Sequence, residues 1–135
     1  MAAYPITDIR GIGPDTASIL KSEGIRTTMG LLRSAKTPQQ RLKLAEMTGA
    51  DTERVLGWVT TADRMRVKGV GWEYSELLRA VGVKTVNELK YRNPEHLVVK
   101  MREANKRKLV RLLPKQTTVQ RWIESAKKLP PLIRY

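Results

Sequence analysis

The sequence contains no cysteine, no phenylalanine and only one histidine. Without cysteine the chain can form neither a disulfide bond nor a thiolate metal site, which fits a reducing compartment. No apolar run approaches the length that spans a bilayer, and the first residues do not resemble a signal peptide. We therefore expect a soluble, cytoplasmic protein with no membrane partner.

Groups that carry out catalysis are also scarce. The sequence has no thiol nucleophile, no His-Glu-x-x-His motif and no cluster of paired carboxylates. His96 follows Asn93-Pro94-Glu95 at a predicted helix start, where a surface or capping role is expected. We predict that the protein is not an enzyme and that it has no catalytic residues, metal, cofactor or small-molecule substrate.

Positive charge is abundant and unevenly distributed. The 135 residues include 26 Lys and Arg against 13 Asp and Glu, which gives a net charge of +13. Residues 1–66 carry 10 basic and 7 acidic residues, whereas residues 67–135 carry 16 and 6. Such an excess attracts polyanions, with nucleic acid first among them, although basic residues can also serve solubility alone.

The sequence contains an internal duplication. Ile-Arg-Gly-Ile-Gly-Pro at residues 9–14 is echoed by Val-Lys-Gly-Val-Gly-Trp at residues 67–72. Flanking residues keep the same spacing: Leu20 and Leu78, Gly24 and Gly82, Thr27 and Thr85, Leu31 and Leu89. A repeat of this kind predicts two similar structural units. We predict a single domain over residues 1–135, with repeat one at about 6–66 and repeat two at about 67–135.

Both copies resemble a known motif. In repeat one, Gly-Ile-Gly-Pro-Asp-Thr-Ala followed by Glu-Gly-Ile resembles the helix-hairpin-helix motif, a short unit widely used to grip the DNA backbone. Repeat two resembles it with Ser75 in place of Ala17. From Ile9 to the Pro-Leu-Ile-Arg-Tyr end, the chain is similar to a bacterial family, the domain of unknown function 4332. The resemblance implies an all-helical fold and brings no known substrate.

Helix signals predict an all-α fold in which each helix-hairpin-helix unit is extended by two or three helices. Pro14 and Gly24 bracket one helix, Thr37 starts another and Asp51 caps a third. Each repeat then ends in a long amphipathic helix, whose core positions are Val55, Trp58, Val59, Ala62 and Met65 in repeat one, and Val119, Trp122, Ile123, Ala126 and Leu129 in repeat two. We expect residues 129–132 to lie extended against the core.

Repeat two is longer than repeat one in its middle part. The spacing between matching apolar positions is 24 residues in repeat one, from Leu31 to Val55, and 30 in repeat two. Apolar residues between 97 and 113 predict helices here, the second of them ended or bent by Pro114. Seven basic residues of this segment face one acid, Glu103: Lys100, Arg102, Lys106, Arg107, Lys108, Arg111 and Lys115. They form either an ordinary solvated face or a specialised binding surface.

Two glycine-rich turns are candidate phosphate sites; we call residues 9–13 the first glycine turn and residues 67–71 the second. Glycine leaves backbone amides uncovered, and amides at a helix N-terminus favour an anion. The candidate binding residues are Arg10, Gly11, Ile12 and Gly13 in the first turn, and Lys68, Gly69, Val70 and Gly71 in the second. At Gly13 and Gly71 we also expect backbone strain for any larger residue.

An unfavourable charge accompanies each glycine turn. DNA-gripping hairpins often carry a basic residue just after the turn, where this chain has Asp15 and Glu73. A carboxylate close to a phosphate repels it. Purely structural turns that join packed helices are therefore the alternative interpretation.

A second DNA-binding pattern overlaps repeat one. Leu44-Ala45-Glu46-Met47-Thr48-Gly49, with Val55 beyond it, resembles a helix-turn-helix whose reading helix would carry Thr52, Arg54 and Gly57. Asp51 and Glu53 are poorly suited to a DNA groove, and any tight helical corner shows the same spacing. Packing is the favoured interpretation.

Charge and motif together favour one function. We expect non-enzymatic, largely sequence-independent nucleic-acid binding, with DNA first and duplex DNA held through its backbone. The glycine turns and the basic residues of repeat two would make the contacts. The alternative is a protein-interaction or scaffold module, in which the turns are structural and the basic face meets an acidic protein.

Overall fold

The computed structural model describes residues 3–135, and this range contains eight α-helices and no β-strand. The helices are α1 Pro14–Ser22, α2 Thr28–Ser34, α3 Pro38–Thr48, α4 Thr52–Arg64, α5 Trp72–Ala80, α6 Val86–Leu89, α7 Pro94–Ala104 and α8 Gln116–Lys127. Short 3-10 turns cover Ile6–Asp8 and Asn105–Arg107. The predicted all-α fold class is confirmed.

The duplicated stretches have matching backbone conformations. Gly11 and Gly69 have φ of +97° and +89°, and Gly24 and Gly82, just beyond α1 and α5, have φ of +81° and +88°. L-residues with a side chain rarely adopt these angles. The backbone conformation at these four positions therefore favours glycine.

The second glycine of each turn behaves differently. Gly13 and Gly71 precede α1 and α5 with φ of −83° and −84°, which any residue adopts. A Cβ at either position would meet no atom within 4 Å. The expected strain at Gly13 and Gly71 is therefore wrong, and the strained positions are Gly11 and Gly69.

Two hydrophobic clusters form the core, one in each half of the chain. The first contains buried residues between Ile6 and Met65, and the second contains buried residues between Val67 and Ala126. Trp58 is 3% exposed in the first cluster and Trp122 is 2% exposed in the second. Both tryptophans are buried, as predicted. The boundary between the clusters lies at residue 66, where repeat one ends and repeat two begins.

The C-terminal segment runs from repeat two back to repeat one. Because α8 ends at Lys127, Leu129 lies outside the helix and is only half-buried. Leu132 and Ile133 pack against the first cluster, and the Arg134 amide donates to a carbonyl in repeat one at 2.7 Å. The segment is non-helical and lies against the core, as predicted, and it links the two repeats.

Charged side chains are buried where the two clusters meet. Asp63, Arg64 and Arg66 are each at most 3% exposed. Arg66 Nη1 lies 2.9 Å from Asp63 Oδ1, and Asp63 Oδ2 accepts the Val86 amide at 2.8 Å. Arg64 donates to carbonyl and hydroxyl oxygens, without a carboxylate partner. Loss of hydration therefore lowers the pKa of its guanidinium to about 10, partly opposed by the nearby Glu76 carboxylate.

The long segment of repeat two contains one helix rather than two. After α7 ends at Ala104, eleven residues connect it to α8, whereas three residues connect α3 to α4. The Asn105 side chain accepts the Val110 amide at 3.0 Å, and Lys108 adopts a left-handed conformation with φ of +55°. These features stop the helix and form a turn, so the predicted second helix before Pro114 is wrong.

Helix α4 lies at the centre of repeat one, in contact with α2, α3 and α5. Gly49, with φ of +75°, ends α3 and allows the sharp corner into α4. Between Val55 and Met65, only Leu56 and Gly57 are not buried. Most side chains of this part of α4 are thus packed inside the protein and cannot reach a DNA groove. This supports the tight-corner interpretation of the helix-turn-helix pattern.

Candidate nucleic-acid interface

The first glycine turn faces the basic segment of repeat two across a cleft. Arg10 of the turn and Arg107 of that segment both line this cleft, although 97 positions separate them in sequence. Its volume is about 850 Å³. We call it the basic cleft, and its lining residues are Arg10, Glu76, Arg79, Ala80, Val81, Lys100, Glu103, Ala104, Lys106, Arg107 and Leu109.

The two acids of the basic cleft are engaged by basic neighbours. Glu76 Oε2 lies 3.2 Å from Arg79 Nε, and Glu103 Oε1 lies 2.9 Å from Lys106 Nζ. The other three basic residues of the lining, Arg10, Lys100 and Arg107, form no ion pair within 4.0 Å among residues 3–135. The cleft therefore carries an excess of three positive charges that are available to an anion.

A smaller pocket of about 280 Å³ adjoins the basic cleft and shares Arg10, Glu76 and Arg79 with it. We call it the Trp58 pocket; its remaining lining residues are Gly11, Arg54, Gly57, Trp58 and Thr61. The Arg54 guanidinium lies over the Trp58 ring, 5.9 Å from the ring centroid.

Sequence reasoning missed Arg79 in this surface, and it named Arg54 only as a residue of the possible helix-turn-helix. Both are ordinary helical residues in sequence, and they lie near Arg10 because α5 packs on α4 beside the first glycine turn. For Arg79 the one local signal was its i, i+3 pair with Glu76, which predicts only a helical salt bridge.

The remaining predicted residues lie outside the lining of the basic cleft. Lys68 and Gly69 of the second glycine turn are exposed elsewhere on the surface. The other basic residues of the long segment are also exposed and do not line the cleft: Arg102, Lys108, Arg111 and Lys115. The structure thus brings together Arg10, Lys100, Lys106 and Arg107, and separates them from the second turn.

Not all of the turn amides are free to meet a phosphate. Ile12 and Val70 are buried, and their amides donate to carbonyls within the turns at 3.1 and 3.0 Å. Gly13 and Gly71 are the N-cap residues of α1 and α5 and form no side-chain hydrogen bond. The N–H groups in the first turn of each helix are therefore free to donate to a ligand. The usable backbone donors are therefore in the helix starts rather than at the centre of each turn.

Residues 10–129 match the model of a family described as a domain of unknown function, DUF4332. The chain belongs to this family. The matched region includes the first glycine turn from Arg10 onward, the whole second glycine turn and every residue that lines the basic cleft. No curated protein and no solved structure matches the chain.

The described part of this DUF4332 chain has neither a membrane-spanning helix nor a cluster of metal-binding side chains. None of its helices combines the length and the apolar character needed to cross a bilayer. Residues 3–135 contain no group of three or more His, Asp or Glu side chains placed to hold a metal ion.

Proposed function

We propose that this DUF4332 protein is a non-enzymatic, cytoplasmic nucleic-acid-binding protein that holds the phosphate backbone in the basic cleft. The observation that carries the proposal is the convergence of Arg10 with Lys100 and Arg107, three basic residues without an acidic partner. Lysine and arginine are the side chains that neutralise phosphates and release their counterions.

The glycine turns add to this proposal. In it, the two turns act as helix-hairpin-helix units whose helix starts supply backbone donors to phosphates. The absence of a side-chain cap at Gly13 and Gly71 supports this, because a capping side chain would occupy the same donors. Contacts of this kind carry no sequence information, so binding is largely independent of sequence.

A second candidate is a scaffold that binds an acidic protein. It is favoured by exposed apolar side chains, since Tyr91 is 78%, Leu112 75% and Val99 60% exposed. A protein partner would use such residues together with the basic cleft. The two candidates differ in whether bare nucleic acid binds at low salt.

The test is the affinity of the protein for a labelled single strand and for its duplex, measured by fluorescence anisotropy between about 50 and 200 mM salt. We expect the logarithm of affinity to fall linearly with the logarithm of salt concentration. In K100Q/R107Q, two phosphate contacts are lost, and the slope on duplex DNA should flatten by about 1.8.

The matched control is K127Q/K128Q, which removes the same charge from exposed positions at the end of α8, outside the basic cleft. It should change the slope much less than K100Q/R107Q does. Absence of binding to either ligand at about 50 mM salt would reject the nucleic-acid function and leave the scaffold. Equal effects of the two variants would show that general charge, and not the cleft, attracts the ligand.

A further inference from the structure

The Trp58 pocket contains an unused hydrogen-bond donor. Trp58 Nε1 lies 3.4 Å from the point that a Cβ on Gly11 would occupy, so this edge of the indole faces the first glycine turn. Among the side-chain nitrogens and oxygens of residues 3–135, Arg66 Nε is the one that is both fully buried and unpartnered, so Trp58 Nε1 does not belong to that class. Trp58 Nε1 has no hydrogen-bond partner within these residues either and is not fully buried, and Trp58 lines the pocket. An indole N–H can only donate.

Positive charge surrounds this donor. Arg54 lies over the Trp58 ring and Arg10 lines the same pocket, and neither forms an ion pair with the described acids. Glu76 also lines the pocket, but its carboxylate is 3.2 Å from Arg79. The pocket thus offers two free guanidinium groups and a neutral N–H donor, which suits a phosphate oxygen better than a metal or an apolar ligand.

The second repeat has the same glycine–tryptophan pair, and Lys68 stands where repeat one has Arg10. Trp122 Nε1 also lies 3.4 Å from the point that a Cβ on Gly69 would occupy. The duplication places Thr118 where repeat one has Arg54, because each residue directly precedes the matching valine of its helix. The Tyr74 ring packs against the Trp122 ring, with 5.1 Å between the ring centroids. The two glycine turns therefore have different surroundings.

We infer that the Trp58 pocket is a phosphate-binding site for a nucleic-acid strand, and that repeat two lacks an equivalent site. Arg10 and Arg54 supply the positive charge, and Trp58 Nε1 donates a hydrogen bond to a phosphate oxygen. Gly11 keeps the indole edge accessible, since a side chain there would stand in front of Nε1. This inference rests on the proposed nucleic-acid function and adds a defined contact to it.

The test follows the indole N–H signals of the three tryptophans by ¹⁵N–¹H NMR, assigned with W58F, W72F and W122F. Inorganic phosphate is added at constant ionic strength, followed by one oligonucleotide with and without a 5′-phosphate. We expect a saturable shift of the Trp58 signal and little change at Trp122. R54Q should weaken phosphate binding roughly tenfold, as expected when a charge-assisted hydrogen bond is lost.

The matched control is R121Q, which removes an exposed arginine next to Trp122 and should leave the phosphate titration of Trp58 unchanged. Equal shifts at Trp58 and Trp122, or an unaltered titration in R54Q, would overturn the inference. Either result is compatible with nucleic-acid binding in the anisotropy assay, so the two proposals fail separately. A shift with both oligonucleotides indicates an internal phosphodiester, and a shift with the 5′-phosphate alone indicates a strand end.

Discussion

Arg64 at the end of α4 donates from Nε to both oxygens of Ser75 in α5, at 2.9 Å to the carbonyl and 3.0 Å to the hydroxyl. Its terminal nitrogens donate to the Lys84 carbonyl at 2.9 Å and to the Thr61 hydroxyl at 3.1 Å. The bonds to Ser75 and Lys84 join the last helix of repeat one to repeat two. Repeat one has Ala17 at the position of Ser75, so this bond belongs to the junction and is not repeated.

Replacing Arg64 by methionine should destabilise the protein by about 3 kcal/mol, because the buried carbonyl of Ser75 and the partly buried carbonyl of Lys84 each lose a donor. Urea denaturation monitored by circular dichroism measures the change. R79Q is the control, since the Arg79 side chain is 68% exposed and its pair with Glu76 contributes little, within about 0.5 kcal/mol. Similar stabilities for R64M and R79Q would show that Arg64 does not hold the repeats together.

Asp63→Asn should cost about 3–5 kcal/mol, because Arg66 then keeps a buried charge without its counter-charge. Thermal unfolding is the measurement, and E103Q is the matched control. The Glu103–Lys106 pair has the same i, i+3 spacing and the same 2.9 Å distance, but both side chains are 72% exposed. Its loss should change stability by less than about 1 kcal/mol. A larger loss in E103Q than in D63N would contradict the buried junction.

Gly11→Ala should destabilise the protein by about 1–2 kcal/mol, because the residue has φ of +97° and its Cβ would lie 3.4 Å from Trp58 Nε1. Gly13→Ala should cost less, about 0.5–1 kcal/mol, because Gly13 has ordinary dihedrals and open space around it, and only the N-cap preference for glycine over alanine is lost. The melting temperatures of the two variants measure this difference in stability. If G13A melts lower than G11A, the conformation of the first glycine turn is wrong.

Trp58→Ala and Trp122→Ala should each cost about 3–5 kcal/mol, since each removes a large side chain from a different hydrophobic cluster. Calorimetry should still show one transition in each variant, because the buried junction and the C-terminal segment link the clusters. Trp72 is 44% exposed, so W72F should shift the fluorescence emission of the protein to shorter wavelength. Emission typical of free tryptophan in W72F would contradict the burial of the other two.

Several local features of the fold were predictable from sequence. Thr37 and Gln40 form a reciprocal capping box at α3, and Asp51 accepts the Arg54 amide at the start of α4 at 2.8 Å. These contacts join residues three positions apart, so the local sequence is sufficient to specify them. The burial of Trp58 followed in the same way from the 3.6-residue period of its helix.

The conformation of the segment after α7 was not predictable from local sequence. Its leucines and valines resemble a helical stripe, yet Asn105 and the left-handed Lys108 form a turn, and Leu112 remains 75% exposed. An apolar run shows which side chains could be buried, but the residues that would cover them come from other parts of the chain. Here the Tyr74 hydroxyl, 38 positions away, donates to the Leu112 carbonyl at 2.9 Å.

The sequence by itself determined the duplication, the helical class, the principal caps and the two core tryptophans, because short-range contacts and periodicity control them. Only the tertiary structure decided that Arg10 lies with Lys100 and Arg107, and that Arg64 is buried at the junction. An exposed and a buried arginine have the same local sequence signals. Their environments differ because distant helices pack around one and leave the other in water, and that packing depends on contacts across the whole chain.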